Sequence, residues 1–323
     1  MNGAGGCGMK VLVTELIWPE GLEELEASGE VEYDPDLWRK PEEVRAKART
    51  ADAVVVRNQT RVDAALLESG GSLLAVGRLG VGLDNIDLEA ARTRGVPVVY
   101  ARNANAVAVA EYVMSAVLLA SRDLSAASED VKSGGWNRRR FGGSEVFGKT
   151  LGLVGAGEIS RRVARRATAF GMSVVGHDPY VAPYDYPVVE LGIELLDLDA
   201  VLEQADFISL HVPLTPGTRH LLSLESFRKM KPHAWVINTS RGGVVNEADL
   251  AKALDEELIR GAVLDVLESE PPQADNPLLA HDRVVLTPHV AGLTEEAQVN
   301  TSILVAREVA KVLRGQPSLC VVG

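Results

Sequence analysis

Short apolar, β-branched runs alternate with amphipathic stretches along most of the chain. Lys10–Thr14, Ala53–Arg57, Leu73–Gly77 and Pro97–Tyr100 have the length and residue types of strands. Between them, Pro19–Ser28, Pro41–Thr50, Val62–Ser69 and Leu88–Arg94 carry helical spacing. This alternation predicts an α/β fold with a parallel sheet covered by helices on both faces. A second series follows at Thr150–Val154, Ser173–Gly176, Asp206–Leu210, Trp235–Asn238, Ala262–Asp265 and Val284–Leu286. Its near-continuous apolar character predicts strands buried on both faces. Helices fit between most of them, including Asn246–Leu258. Two longer helices, Ala106–Leu124 and Thr294–Leu313, bracket the second series. Thr294 with Glu295 and Glu296 reads as a capped start, and Gly315 with Pro317 as a stop. A last short strand, Leu319–Val322, is expected to rejoin the first sheet. The first domain is then discontinuous, comprising residues 1–103 and 290–323, and residues 104–289 form the second.

Length agrees, since 323 residues imply about two domains. The 46% apolar content is enough for a substantial core. A formal charge of −12 argues against general binding to nucleic acid or to anionic membranes. Two cysteines, Cys7 and Cys320, cannot build a disulfide framework and fit a reducing cytoplasm. No run is long and apolar enough for a membrane helix; the nearest, Ala104–Ser121, carries Glu111 in its middle. The N-terminus lacks the basic and apolar regions of a secretory signal. The Gly-rich leader Met1–Gly8 is expected to be disordered and stands outside the fold argument.

One segment carries phosphate chemistry. Gly155-Ala156-Gly157-Glu158-Ile159-Ser160 follows a strand and opens a helix. Gly155 permits a tight turn, and Gly157 lets the backbone approach a pyrophosphate facing the helix N-terminus. Ser160 stands where the fingerprint has its third glycine, a packing position that tolerates a small residue. Strand Ser173–Gly176 then leads to Asp178, placed to hydrogen-bond the adenosine ribose hydroxyls. A carboxylate there repels a 2′-phosphate, so NAD is expected in preference to NADP.

Ligands of open α/β sheets bind beyond the carboxyl ends of strands. Three of the second series end in Thr239-Ser240-Arg241, in the segment reaching Glu270, and in Thr287-Pro288-His289. An Arg, a Glu and a His are thus expected to converge where the nicotinamide would lie. Histidine suits removal of a hydroxyl proton, a hydrogen-bonded carboxylate fixes its tautomer, and Arg offers paired donors to a substrate carboxylate. The chemistry implied is hydride transfer at C2 of a 2-hydroxy or 2-oxo acid. His211, at the end of its strand, is expected to flank the adenine side; His220, His233 and His281 earn no role. No zinc-like spacing occurs, so no metal is expected.

With these residues in view, the chain resembles the D-isomer-specific 2-hydroxyacid dehydrogenases, in the short phosphoglycerate dehydrogenase-like branch. The resemblance runs through Val56-Arg57-Asn58-Gln59-Thr60, Gly77 to Asp87, Asn105 to Glu111, the Gly155 loop, His211-Val212-Pro213-Leu214-Thr215, and the Arg241, Glu270 and His289 segments. It implies a Rossmann NAD-binding domain and a flavodoxin-like substrate domain, both doubly wound, closing on a cleft. It implies Arg241 as substrate anchor, Glu270 as partner of His289, and His289 as acid/base. Cofactor contacts are implied for Glu158, Ile159, Asp178, His211, Pro213, Thr239, Ser240, Asp265 on the nicotinamide amide, and the turn from His289 to Gly292. Arg57 and the Val81-Gly82 backbone are implied to face the substrate. A homodimer through the nucleotide domain is implied, with Trp136 to Gly142 near its interface.

Two departures stand out. Tyr100-Ala101-Arg102-Asn103-Ala104-Asn105 replaces the commoner N-T-P-G-A-N, and the chain ends soon after its last helix, so serine regulation through an added domain is not expected. Arg57, Arg61, Arg78 and Arg138–Arg140 raise the expectation of a second anionic group on the substrate, as in 3-phosphoglycerate or sulfolactate. Tyr33-Asp34-Pro35 and the segment from Arg57 to Thr60 also resemble sulfolactate dehydrogenases. Hydroxypyruvate or glyoxylate is the simpler substrate type. An NAD(H)-sensing corepressor and a formate or phosphite dehydrogenase are the alternative readings of the same scaffold.

Overall fold

The computed structural model describes residues 9–322; the leader 1–8, with Cys7, and Gly323 lie outside the described residues. Two compact units emerge, one from the chain up to Asn105 and from Leu293 onward, the other Ala106–Gly292. The division thus falls after Asn105 and after Gly292 rather than after residues 103 and 289.

The first unit holds β1 (Met9–Val13), β2 (Gly29–Tyr33), β3 (Ala53–Val56), β4 (Ala75–Arg78) and β5 (Val98–Tyr100) in the order β2-β1-β3-β4-β5. Every pairing is parallel, and the order is the flavodoxin-like one. The central strands are buried on both faces because alternate residues feed two cores. Leu12, Val54, Val56 and Val76 pack on one side; Val11, Val13 and Val55 meet Leu25, Val305 and Val309 on the other. Helix Glu295–Leu313 lies so close to helix Pro19–Glu26 that a Cβ on Gly21 would sit 2.6 Å from Ser302 Cβ. Ser302 Oγ also accepts the Trp18 N–H at 3.1 Å, which pins the residue where the first helix begins.

The second unit is a seven-stranded parallel sheet of β6 (Thr150–Val154), β7 (Ser173–His177), β8 (Glu194–Leu195), β9 (Phe207–Leu210), β10 (Trp235–Asn238), β11 (Gly261–Leu264) and β12 (Val284–Leu286). Its order, β12-β11-β10-β9-β6-β7-β8, reverses direction at β6, and β9 lies next to it. That crevice between β6 and β9 is where a doubly wound sheet offers a binding site. Leu151, Leu153, Ile208, Leu210, Val236 and Ile237 are essentially inaccessible to solvent.

Four features differ from the sequence reading. β2, GEVEY, alternates charge with half-burial because it is an edge strand. β8 is a two-residue edge. The helix expected over Ala106–Leu124 stops at Ser121, and Asp123 caps a separate helix, Leu124–Lys132, through the Ala126 N–H. Leu319–Val322 forms no strand: Val321 makes a single antiparallel bridge to Val99. Tyr100 N–H reaches the Cys320 carbonyl and Val322 N–H the Val98 carbonyl, so the tail still lies along β5.

Candidate active site

Gly155 follows β6 with φ +93°, and a Cβ there would lie 2.5 Å from the carbonyl oxygen of His211, which follows neighbouring β9. Both facts demand glycine. Gly157 differs: it is exposed, and no atom lies within 4 Å of where its Cβ would be. It is also the N-cap of helix Glu158–Ala169, and it offers no side-chain acceptor to the helix's first N–H groups. Asp63, Asp87, Asp123, Asn246 and Thr294 supply one at their helices, whereas Trp18, Lys40, Asp185, Asp197 and Ser223, like Gly157, do not. The Gly157 terminus therefore keeps its donors open for an anion. Ser160, fully buried, donates its hydroxyl to the Gly155 carbonyl at 2.6 Å, so the third position braces the turn as well as packing. Glu158 pairs with Arg162 one turn on, and Ile159 is half-buried beside it.

Asp178 follows β7 and accepts N–H groups from Ala156 (2.8 Å) and Tyr180 (2.9 Å). A carboxylate has about four acceptor sites, so roughly two remain for hydroxyl donors. His211 directly follows β9, with its Nε2 2.9 Å from Ser209 Oγ; burial lowers its pKa to about 4 and keeps the ring neutral. Pro213, exposed, accepts the Thr218 hydroxyl at its carbonyl (2.6 Å).

At the ends of β10, β11 and β12 the sheet brings together the Arg, Glu and His. Asn238, the buried last residue of β10, shapes the turn that carries Arg241. Its Oδ1 accepts Ser240 N (3.0 Å) and Ser240 Oγ (2.8 Å), and its Nδ2 donates to the Arg241 carbonyl (2.9 Å). Next in sequence, Gly242 would place a Cβ 1.9 Å from the Leu267 carbonyl carbon. The loop bearing Glu270 thus passes directly over it, and only glycine fits. Glu270 Oε1 accepts Leu267 N at 3.1 Å, and Oε2 lies 2.7 Å from His289 Nδ1. An ionised carboxylate only accepts, so Nδ1 carries hydrogen and Nε2 remains for a ligand.

His289 is a non-glycine residue at φ +55°. Such a conformation persists only when its surroundings enforce it. Asp265 does so. Its carbonyl accepts His289 N (2.8 Å), and its carboxylate accepts Thr287 Oγ1 (2.6 Å), Val290 N (2.8 Å) and Ala291 N (2.8 Å). Tyr112 lies 2.5 Å from Thr287 Oγ1. Because the threonine proton goes to Asp265, Tyr112 must be the donor. Three of about four carboxylate sites on Asp265 are therefore committed to the turn that ends at half-buried Gly292, and about one is left for an amide.

The hydrogen bond from His289 to Glu270 raises the imidazole pKa above its ordinary value; burial and the Arg241 charge oppose this, and the charges of Glu270 and Asp265 support it. For Glu270, burial alone pushes upward. The His289 hydrogen bond and charge, the Leu267 N–H and the Arg241 charge outweigh it and hold the carboxyl below its usual value. Thr239 Oγ1, at the same strand end, is buried with no hydrogen-bond partner in the protein. An orphan hydroxyl, an uncapped glycine terminus and a ribose-ready carboxylate fit a dinucleotide laid across the strand ends.

In the first unit, Arg57 follows β3, half-buried, with its guanidinium 5.8 Å from the Trp18 ring centroid. Val81 and Gly82 follow β4, both partly exposed. No grouping of His, Cys, Asp and Glu suited to a metal occurs among the described residues. No helix among them is long and apolar enough to cross a membrane. Sequence reasoning missed Asn238, Thr287 and Tyr112. Thr287 had a signal, being two residues before His289, but Tyr112 lies 175 positions away.

A parallel sheet with a glycine loop at its switch point defines the dinucleotide-binding class of α/β folds. Within that class the chain belongs to the D-isomer specific 2-hydroxyacid dehydrogenase family, whose NAD binding domain matches residues 114–291. D-3-phosphoglycerate dehydrogenase of Methanocaldococcus jannaschii is 45% identical over 310 residues, covering 95% of this chain and 58% of that protein. The chloroplastic D-3-phosphoglycerate dehydrogenase 2 of Arabidopsis thaliana is 41% identical over 310 residues, covering 96% of this chain and 49% of its own. The chain thus spans about half the length of the curated relatives it matches. Among solved structures, a protein from Thermus thermophilus superposes with a TM-score of 0.88 at 33% identity, covering 98% of this chain and 100% of its own. A glyoxylate reductase from Paecilomyes thermophila superposes at 0.87 with 28% identity, covering 98% and 99%.

Proposed function

We propose that the protein is an NAD-dependent 2-hydroxyacid dehydrogenase in which His289 is the acid/base. The observation that carries this reading is the 2.7 Å contact between His289 Nδ1 and Glu270, on a turn that Asp265 forces into shape. Bound nicotinamide supplies the hydride acceptor or donor for C2 of the substrate. Arg241 holds the substrate carboxylate through parallel N–H donors. In oxidation, His289 Nε2 takes the hydroxyl proton, and Glu270 stabilises the imidazolium that results. In reduction, the same imidazolium returns the proton to the carbonyl oxygen. Family membership supports NAD as the cofactor. Asp178, Thr239, Ser240, the Gly155–Ile159 loop, His211, Pro213, Asp265 and Gly292 are its contacts in this reading, and Asp178 gives the preference over NADP. Residues 106–292 are then the nucleotide domain and the other unit the substrate domain.

Arg57, with the Val81 and Gly82 backbone, is the substrate contact of the first unit. Its half-buried guanidinium favours a substrate with a second anionic group, in keeping with the phosphoglycerate relatives; Arg61 and Arg138–Arg140 are exposed. The enzyme acts as a homodimer. Helix Leu124–Lys132 buries no residue, and Leu124 (73%), Trp136 (77%) and Phe147 (74%) are strongly exposed apolar side chains that a second copy would cover. A cytoplasmic setting accords with free, buried Cys320.

The test is reduction of NAD+ or NADP+ with 3-phosphoglycerate, sulfolactate, glycerate and lactate. The doubly anionic acids should show the highest kcat/KM, with NAD+. A preference for lactate would remove the second anion, and no turnover of any acid would refute the enzyme. Light scattering should show a dimer that Leu124→Glu weakens.

A further inference from the structure

The loop after β3 contains an unusual carboxylate. Glu15, just past β1, is 3% exposed. Its Oε1 accepts Arg57 N (2.8 Å) and Thr60 N (2.9 Å), and its Oε2 accepts Asn58 N (3.1 Å) and Gln59 N (2.9 Å). Four consecutive amides converge on one side chain some forty residues earlier. β1 and β3 are sheet neighbours, which explains the approach. Four donors fill about all the acceptor sites a carboxylate has. The loop is fixed from behind as well. Thr14 Oγ1 and Thr60 Oγ1 are 2.8 Å apart, and Asn85 Nδ2 donates to the Thr60 carbonyl at 2.7 Å.

A run of N–H groups converging beyond a parallel strand is the form of an anion receptor. Here the protein occupies it with its own acid. An incoming anion therefore meets the Arg57 guanidinium, braced by Trp18, and no backbone donors of this loop. We propose that Glu15 is a positioning residue that fills the amide cradle of Arg57–Thr60 and so aims Arg57 at the substrate. The proposal rests on the reading of Arg57 as a substrate contact. It adds that specificity at this loop comes from one side chain held by an internal carboxylate.

The experiment uses Glu15→Ala and Glu15→Gln in the full chain, alone and combined with Arg57→Ala. Losing charge-assisted hydrogen bonds to the loop should raise KM for 3-phosphoglycerate about tenfold. KM for NAD+ and kcat should stay within about twofold, because a contact made alike in ground and transition state shows in the KM of its own substrate. On the Arg57→Ala background the further rise should vanish. Acetate, which fits the space vacated in Glu15→Ala, should restore KM in that variant and not in wild type; equimolar chloride should not. Folded variants with wild-type KM for 3-phosphoglycerate would overturn the proposal. A measurement independent of catalysis accompanies these. The amides of residues 57–60, outside any helix or strand, should exchange slowly with deuterium in wild type; exchange at unstructured rates would also overturn the proposal. If wild type turned over no acid, the functional reading would fail. Slow exchange would then still uphold the placement of Glu15.

Discussion

Two loops sit at equivalent places, each just beyond the carboxyl end of a parallel strand, and they treat anions in opposite ways. After β6, Gly157 begins a helix with no side-chain cap and with open space above its Cα. After β3, every amide from Arg57 to Thr60 is taken by Glu15. Topology presents the donors in both cases. What decides their use is whether a carboxylate of the same chain has already claimed them. Asp178 shows the intermediate case, since it takes only Ala156 N from the glycine loop. In the proposed reading the first loop meets the cofactor's phosphates by backbone, and the second meets the substrate's anion by the Arg57 side chain.

Gly155→Ala should have the largest effect. Its left-handed conformation costs an L residue about 1–2 kcal/mol, before any clash. The clash with the His211 carbonyl adds to this and pushes β6 from β9. Thermal unfolding should fall by about 5 °C or more, and NADH binding should be lost. Gly157→Ala sharpens the contrast, because nothing crowds its Cβ. Its melting temperature should fall by only about 1–3 °C, the N-cap preference for glycine over alanine, while NADH binds about tenfold more weakly, a loss of roughly 1.4 kcal/mol. Arg57→Ala should leave NADH affinity unchanged in titration. Asp178→Ala leaves the glycine loop in place. Loss of one or two charge-assisted hydrogen bonds to the ribose, each about 1.5 kcal/mol or more, should weaken NAD+ by about tenfold or more. The ratio of kcat/KM for NADP+ over NAD+ should rise, and an unchanged ratio would exclude the ribose contact.

Much of this was legible in the sequence because it depended on local order. The glycine loop, the acid after the next strand and the three strand-end residues each lie where a run of apolar residues stops. Trp235–Asn238 and Thr150–Val154 matched their strands to the residue. What escaped was set by tertiary partners. β2 is a strand because β1 supplies its ladder, although GEVEY lacks an apolar face. Leu124–Lys132 has no buried face to betray it. Glu15 reads as one acid among many until the sheet sets it beside residue 57. Asp265 was expected at the cofactor amide; that its carboxylate also fixes the left-handed His289 turn follows only from the fold.

In the proposed mechanism Glu270 tunes His289 as the proton donor and acceptor. Reduction of a 2-oxo acid needs the imidazolium, so its rate should fall as pH rises through the His289 pKa. Glu270 raises that pKa. Replacing it by Gln removes the charge that raises it most and leaves burial and Arg241, which lower it, against Asp265, which raises it. The most direct measurement is kcat/KM for reduction against pH in wild type and Glu270→Gln. The descending limb should move to lower pH in the variant. Superimposable limbs in the two proteins would rule out the role of Glu270.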